Sequence, residues 1–218
     1  MSCRVVVLIS GSGTNLQALI DAGEQGALGN TQIVGVFSNR PGVKGLERVE
    51  QAGIPTAMID HKQFAERAEF DHAMQAAIDE WSPDLLVLAG FMRLLTPEFV
   101  AHYANRMLNI HPSLLPRYPG LHTHQRALDA GDTEHGVTVH FVTSELDGGP
   151  PVVQARVPIE PDDDVDSLAK KVQRKEHQIY PAAVRWFAEG RLTMSAGNAY
   201  MDASPIAFSG LDWHEIKH

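Results

Sequence analysis

The 218-residue chain carries 44% hydrophobic and 21% charged residues and has a formal net charge of -9 at pH 7. This balance favours one α/β domain with a sizeable core and excludes disorder as the default state. The negative charge disfavours broad nucleic-acid binding, and the single cysteine excludes intrachain disulfides and cysteine-rich zinc sites. No apolar run approaches the roughly 20 residues that a bilayer requires, and no signal-peptide pattern is present, so a cytoplasmic protein without a membrane partner is expected.

The first half of the chain alternates apolar β-branched runs with segments of helical periodicity. The runs predict four buried strands, at residues 4–9, 33–37, 56–59 and 85–88. Helices are predicted around residues 16–20, before Gly53 and over about residues 66–81. This rhythm predicts a mostly parallel, doubly wound sheet with a Rossmann-like N-terminal half.

The second half has shorter elements. Thr96-Pro97 is typical of a helix N-cap followed by an N1 proline and predicts a helix to about Tyr103. A short strand is predicted at residues 107–110, and strands at 137–143 and 152–157 predict an antiparallel C-terminal addition. A helix after the acidic residues 162–164 is expected to kink or restart at Pro181. The sequence from Arg191 onward is polar and is interpreted as an irregular, loosely attached tail.

The segment SGSGTN, residues 10–15, follows the first strand and begins the first helix. Its glycines allow a tight turn, and the start of the helix offers free N–H groups and a positive dipole end, which suit a phosphate. Leu16 stands where the dinucleotide fingerprint requires glycine, so a monophosphate fits better than a dinucleotide. A plain strand–helix turn is the alternative.

Asn109 and His111 lie two residues apart at a predicted strand end, so their side chains point to the same side. A carboxamide beside an imidazole can stabilise an oxyanion and move protons, and ligands bind at the carboxyl ends of strands in open α/β sheets. Asp147, in a glycine-rich loop, can orient or charge a histidine, with a capped turn as the alternative.

Further histidines raise the question of a metal site: His122, His124, His135, His140 and His177. His122 and His124 share one face if the chain is extended there. Zinc also requires a third ligand and an ordered second shell, and the spacing supplies no such signature. A metal ligand set is therefore not predicted.

Three stretches, in this order, resemble the phosphoribosylglycinamide formyltransferase family: SGSGTN, NIHPSLLP and a downstream DGG. The resemblance runs from Val5 to about Met194 and includes LAGFMRLLTPEFV and EHQIYP. NIHPSLLP followed by DGG is shared by the wider formyltransferase superfamily, whereas SGSGTN points to the enzymes that act on the ribonucleotide.

The resemblance implies transfer of a formyl group from 10-formyltetrahydrofolate, as cosubstrate, to the amine of glycinamide ribonucleotide in purine biosynthesis. It also implies that no cofactor is tightly bound. It implies a catalytic triplet of Asn109, His111 and Asp147. The residues implied to bind the ribonucleotide are Gly13, Thr14, Asn15 and Glu176. Those implied to bind folate are Arg67, Met92, Arg93, Leu94, Leu95, Asn109, Thr143 and Asp147.

On this basis residues 1–190 are expected to form one domain, followed by a tail at 191–218. Residues 1–105 mainly serve the ribonucleotide phosphate, and residues 106–190 mainly serve catalysis and folate. The alternatives are a formyltetrahydrofolate deformylase, in which water replaces the amine, a methionyl-tRNA formyltransferase and a non-catalytic nucleotide-binding module. Deformylases usually carry an extra N-terminal domain and the tRNA enzymes a C-terminal RNA-binding domain, and neither is expected here.

Overall fold

The computed structural model describes residues 2–216, so that Met1 and the last two residues of the predicted tail, Lys217 and His218, lie outside it. The helices are α1 (Thr14–Glu24), α2 (Lys44–Gln51), α3 (Arg67–Asp79), α4 (Pro97–His102), α5 (Thr123–Asp129) and α6 (Val165–Ala188), with a 3₁₀ turn at His61–Gln63. The strands are β1 (Cys3–Ile9), β2 (Thr31–Ser38), β3 (Thr56–Met58), β4 (Leu85–Leu88), β5 (Met107–His111), β6 (Glu134–Phe141), β7 (Pro151–Pro158), β8 (Leu192–Ser195), β9 (Asn198–Met201), β10 (Ser204–Pro205) and β11 (Leu211–Asp212).

The central sheet has the strand order β3-β2-β1-β4-β5-β6-β7-β11. The first five strands of this order are parallel, β6 runs antiparallel to both β5 and β7, and β11 runs parallel to β7. The predicted fold class is confirmed. After β1 the chain moves outward through β2 and β3 and then returns to β4 on the other side of β1. This reversal opens a crevice at the carboxyl ends of β1 and β4, where ligands bind in such sheets.

Helices cover both faces of the sheet, which explains the continuous apolar runs of its strands. Val5, Val7 and Ile9 of β1 enter a core shared with α1, α2 and α6. Val6 and Leu8 enter a second core shared with α3 and α4. Since neither face of β1 meets water, the strand has no polar alternation, and burial on this scale stabilises the sheet by roughly 1.5–3 kcal/mol for each large apolar side chain.

Helix α6 continues through Pro181, so the predicted restart is wrong, and the predicted kink stays a prediction. Proline costs a helix one backbone hydrogen bond, but the turns on either side are held by packing. Ile179, Tyr180 and Val184 are fully buried against the sheet. The Tyr180 hydroxyl also lies 2.8 Å from the Leu88 carbonyl oxygen and so ties α6 to β4. Tertiary contacts therefore outweigh the local preference.

The prediction of an irregular, loosely attached tail is also wrong for residues 191–216. Strands β8, β9 and β10 form an antiparallel sheet, and β11 pairs with β7. The hairpin turns use positive φ at Ala196 and Gly197 and again at Asp202 and Ala203, as two-residue hairpins require. Strands of two to four residues are too short to show periodicity, which is why the sequence did not reveal them. The domain boundary at residue 190 stays a prediction.

Strand β6 ends at Phe141, so Thr143, which was predicted as its last residue, lies in the following loop. The Phe141 N–H still donates to the Pro150 carbonyl at 3.1 Å. Beyond that point Pro150 and Pro151 have no N–H to extend the ladder. The pairing therefore stops, and the chain turns into the loop that carries Asp147.

Candidate active site

Strand β5 delivers Asn109 and His111 to the carboxyl edge of the sheet, on the same side of the strand. The antiparallel neighbour β6 places His140 directly opposite Asn109. The loop after β6 then brings Asp147 back over both strands. The structure thus brings the three predicted catalytic residues together and adds a fourth polar side chain, His140.

The His111 ring is held between two acceptors. Its Nδ1 lies 3.4 Å from Asp147 Oδ2, and both side chains are 7% exposed. Its Nε2 lies 2.9 Å from the backbone carbonyl oxygen of Tyr118. Because a carbonyl oxygen only accepts, Nε2 carries a hydrogen and donates it to Tyr118, and Nδ1 is the nitrogen that faces Asp147. The Gly120 N–H donates to Asp147 Oδ2 at 2.8 Å, which fixes the carboxylate in turn.

His140 orients the Asn109 amide. Burial lowers the pKa of His140 to about 4, against the opposing effects of the Phe141 carbonyl and the Asp147 carboxylate. The neutral ring donates from Nδ1 to the Phe141 carbonyl oxygen at 2.9 Å, so Nε2 is left as an acceptor. Asn109 Nδ2 lies 3.2 Å from that Nε2. One amide N–H of Asn109 is therefore occupied, and the other stays available for a ligand oxygen.

His140 was not predicted as a site residue, although the alternation of VTVHFVT indicates which side of the strand it occupies. That alternation places Thr138 and His140 on one face of β6. Register with Asn109 depends on pairing between distant segments, and one sequence does not specify this register.

A buried polar network fixes the loop between β5 and α5. Thr138 Oγ1 donates to the Ser113 carbonyl at 2.6 Å and accepts the Leu115 N–H at 3.0 Å. Gln154 Nε2 donates to the Leu115 carbonyl at 2.7 Å. The Leu115–Pro116 peptide bond is cis. Because both carbonyl and amide groups of the loop are satisfied by β6 and β7, the backbone contacts to His111 and Asp147 keep their positions.

Two further histidines near the site, His124 and His135, contact each other. His135 Nε2 lies 3.1 Å from His124 Nδ1, and His135 is 1% exposed. His122 adopts a left-handed conformation at the N-terminus of α5 and does not share an extended face with His124. Within residues 2–216 no group of three or more His, Cys, Asp or Glu side chains is placed to hold a metal ion.

We expect the free energy of unfolding to fall at acidic pH, in part because of His135. Burial, assisted by His124, lowers the pKa of His135 from 6.5 to about 4. The unfolded chain therefore takes up this proton first. The stability contributed by neutral His135 is complete above the unfolded-state pKa and is lost as the pH falls through the folded-state pKa. A shift of this size corresponds to about 3 kcal/mol.

Urea unfolding of the wild type and of His135→Gln at about pH 7.5 and about pH 4.5 measures this contribution. Exposed His72 provides the control variant, His72→Gln. The loss of stability between the two pH values should be smaller by about 2 kcal/mol in His135→Gln and unchanged in His72→Gln. Identical losses in all three proteins would contradict the assignment.

The SGSGTN loop joins β1 to α1 and leaves the helix N-terminus open. Gly13 is the N-cap residue, with φ at 68°, and no side chain caps the helix. A Cβ on Gly13 would lie 2.8 Å from the Cα of Gly45, which in turn donates its N–H to the Gly11 carbonyl at 3.0 Å. The glycines therefore allow close backbone packing. The open N–H groups and positive dipole end of α1 suit an anion.

Helix α6 brings Glu176 to this loop, as the family resemblance implies. Asn15 Nδ2 donates to Glu176 Oε2 at 2.8 Å, while Asn15 Oδ1 is buried without a partner. Burial raises the pKa of the Glu176 carboxyl, and the Asn15 hydrogen bond opposes this. Gln173, one turn earlier on α6, donates to Thr14 Oγ1 at 3.2 Å. The sequence analysis missed Gln173, although its spacing from Glu176 places both on one helix face.

A cavity of about 490 Å³ adjoins the loop and runs along α1. Thr14, Gln17, Arg48 and His177 contribute to its wall. Arg48 also donates from Nε to the Ser12 carbonyl at 2.9 Å, so a guanidinium lies against the loop. A second cavity of about 370 Å³, beyond the end of β2, includes Arg40 and His61. Neither cavity is lined by the predicted catalytic triplet.

The residues implied to bind folate fall into three groups. Met92 and Leu94 are 62% and 54% exposed, so the loop after β4 presents apolar side chains outward, with Leu95 half-buried beside them. The Arg93 guanidinium stacks on the Phe70 ring, with Cζ 4.6 Å from the centroid, and its Nε is buried without a partner. Thr143 lies in the same loop as Asp147, with Oγ1 3.5 Å from the Glu145 carbonyl.

Arg67 and Arg93 act on a common carboxylate, Asp71. Burial raises the pKa of Asp71, while hydrogen bonds from Thr96 and the charges of Arg93 and Arg67 oppose the rise. The Thr96 N–H donates to Asp71 Oδ2 at 2.7 Å. Two guanidinium groups thus lie close enough to the Asp71 carboxyl to act on its charge.

Comparison with known proteins agrees with this geometry. Residues 3–184 match the formyl transferase family. The chain belongs to that family. It is 52% identical over 207 residues to the phosphoribosylglycinamide formyltransferase of Escherichia coli (strain K12), covering 95% of this chain and 97% of that protein. The family resemblance drawn from SGSGTN and NIHPSLLP is confirmed.

Solved structures of formyl transferases share the fold. The phosphoribosylglycinamide formyltransferase from Coxiella burnetii superposes with a TM-score of 0.93 at 50% identity, covering 97% of this chain and 99% of that one. Glycinamide ribonucleotide transformylase 1 from Symbiobacterium toebii superposes with a TM-score of 0.88 at 42% identity, covering 92% and 94%. Across residues 2–216 of this formyl transferase, no helix is both long and apolar enough to cross a membrane.

Proposed function

We propose that this formyl transferase moves the formyl group of 10-formyltetrahydrofolate to the amine of glycinamide ribonucleotide. The products are formylglycinamide ribonucleotide and tetrahydrofolate, in purine biosynthesis. The observation that carries the proposal is the buried His111–Asp147 pair, 3.4 Å apart, with Asn109 beside it on β5. The names of the relatives support the same acceptor. Both substrates are small molecules, and the folate acts as a cosubstrate that leaves after each turnover.

The chemistry follows from the available hydrogen bonds. The amine attacks the formyl carbon, and negative charge develops on the formyl oxygen. Asn109 donates its free N–H to that oxygen. Protonated His111 supplies a second donor, because its Nδ1 N–H is shared between that oxygen and Asp147 Oδ2, 3.4 Å away. The attacking nitrogen loses one proton and the leaving folate nitrogen gains one. Asp147 lies where it can pass this proton, directly or through water.

The present His111–Asp147 distance is longer than the 2.7–2.9 Å or so of a strong charged hydrogen bond. Such contacts tighten when substrates bind and exclude water. Since Tyr118 holds Nε2 and Gly120 holds Asp147 Oδ2, both groups are already aimed. Holding the two substrates against catalytic groups that are already oriented can lower the barrier by roughly 7–11 kcal/mol.

The ribonucleotide fits the SGSGTN side of the crevice. Its phosphate meets the N-terminus of α1 at Gly13, Thr14 and Asn15, where no side chain competes. Asn15 Oδ1 and the Glu176 carboxyl are two neighbouring acceptors, which suit the donating hydroxyls of a ribose.

The folate fits the loops after β4 and β6. The exposed apolar side chains of Met92 and Leu94, with Leu95, suit the flat faces of a pterin and its aromatic linker. Thr143 and Asp147 offer polar groups to its edge. Arg93 and Arg67 bind the carboxylates of the folate tail, because guanidinium groups bind carboxylates with two parallel hydrogen bonds.

The deformylase alternative uses the same triplet with water as the acceptor. It has no use for an open helix N-terminus next to the Asn15–Glu176 pair, and the names of the relatives do not favour it. A non-catalytic nucleotide-binding module has no need of a buried imidazole and carboxylate beside Asn109.

A single assay separates these functions. Purified protein is mixed with 10-formyltetrahydrofolate, with and without glycinamide ribonucleotide, and release of tetrahydrofolate is followed. We expect release only with the ribonucleotide present, together with one equivalent of formylated product. Tetrahydrofolate release at the same rate without the ribonucleotide would establish the deformylase. Binding of the substrates without any tetrahydrofolate release would establish the non-catalytic nucleotide-binding module.

A further inference from the structure

A chain of side-chain hydrogen bonds crosses the carboxyl edge of the sheet beneath the two proposed substrate sites. It begins at the Met92 N–H, which donates to Ser10 Oγ at 2.8 Å. Ser10 Oγ donates to Asn39 Oδ1 at 2.6 Å. His61 Nδ1 in turn donates to the Asn39 backbone carbonyl oxygen at 2.8 Å. The chain therefore joins the ends of β4, β1, β2 and β3, which are neighbours in the sheet.

Ser10 is the member of this chain that connects the two proposed substrate loops. It is the first residue of SGSGTN, and its own N–H donates to the Gly90 carbonyl at 3.2 Å. Its hydroxyl accepts from Met92, which lies in the loop proposed to hold the pterin. Two backbone positions of the folate loop are thus attached to one residue of the phosphate loop. Ser10 and Asn39 are 3% and 0% exposed, so water does not replace these bonds.

We infer that Ser10 is a positioning residue that sets the register between the ribonucleotide and folate loops. This inference rests on the proposed function, because only a reaction between two bound substrates depends on that register. The hydroxyl touches neither substrate. Its effect is to hold the amine at the attack distance from the formyl carbon. A displacement of about 1 Å can cost on the order of 10²-fold in rate, even when both substrates still bind.

Ser10→Ala removes the hydroxyl, leaves Asn39 Oδ1 buried without a partner and takes away the acceptor of the Met92 N–H. We expect kcat to fall about 10- to 100-fold, while KM for each substrate changes by less than about 3-fold. A residue with only a structural role would lower the melting temperature and leave kcat of the folded protein unchanged.

Ser38→Ala is the matched control. The Ser38 hydroxyl is equally buried, donates to the Arg40 carbonyl at 2.8 Å and accepts the Arg40 N–H at 3.2 Å. It makes the same two kinds of bond at the same edge of the sheet, but within its own turn. We expect a similar loss of melting temperature and a kcat within about 2-fold of the wild type.

Steady-state kinetics at saturating substrates, with melting temperatures, test the inference. It is overturned if Ser10→Ala and Ser38→Ala have the same kcat, or if Ser10→Ala raises both KM values at constant kcat. Should Ser10→Ala fail to fold, Ser10→Cys retains the size and a weak hydrogen bond and is compared with Ser38→Cys by the same criteria. Wild-type protein that transfers no formyl group would instead refute the proposed function.

Discussion

His111→Ala should lower kcat by about 10²–10³-fold, because it removes the charged donor to the developing oxyanion. The same substitution removes the proton carrier that Tyr118 and Asp147 hold in place. Steady-state rates at saturating concentrations of both substrates measure the loss. Melting temperature and circular dichroism establish that the variant is folded.

The control is His72→Ala, which removes an exposed histidine from α3 and should leave kcat unchanged. Asn109→Ala and Asp147→Ala should each cause a large loss as well. The combined loss should be smaller than the product of the single losses, because the groups act as one unit. Near-wild-type turnover in well-folded His111→Ala would refute the assignment of the site.

Gly13→Ala should raise KM for the ribonucleotide at least about 10-fold and leave KM for the folate nearly unchanged. A non-glycine residue at its φ of 68° is strained by roughly 1–2 kcal/mol, so the loop is expected to shift. A loss of about 1.4 kcal/mol in phosphate contacts would raise KM tenfold. The new Cβ would also meet the Gly45 Cα at 2.8 Å and displace backbone. Both effects distort the N–H groups proposed to hold the phosphate.

Gly26→Ala is the control for Gly13→Ala. Gly26 follows the other end of α1, has a φ of 70° and has open space around its Cβ direction. This variant bears the backbone strain without disturbing the loop. Equal KM values for the ribonucleotide in the two variants would contradict the proposal that the phosphate binds at the N-terminus of α1.

The sequence predicted the parts of the fold that depend on local patterns. The buried runs in β1, β2 and β4 were located within a few residues, because strands covered on both faces are apolar throughout. Asn109 and His111 were predicted to act together because alternation along a strand fixes their shared side.

The remainder depended on contacts between distant segments. Helix α6 crosses Pro181 because the sheet beneath holds it, and no local rule contains that information. His140 orients Asn109 through a pairing register set by the whole sheet. Gln173 and Ser10 gain their partners from segments far along the chain, so their roles appear only once the fold is known.

The pairing of β11 with β7 also bears on how molecules of this protein meet one another. An open strand edge presents unpaired N–H and C=O groups that can recruit a strand from another molecule. Here β11 covers Val153 and Gln154 of β7 with two residues, and the opposite edge is the three-residue β3. Short outer strands of this kind give an incoming chain little to pair with. The C-terminal segment thus blocks the edge of the sheet at Val153 and Gln154, within the eight-residue strand β7.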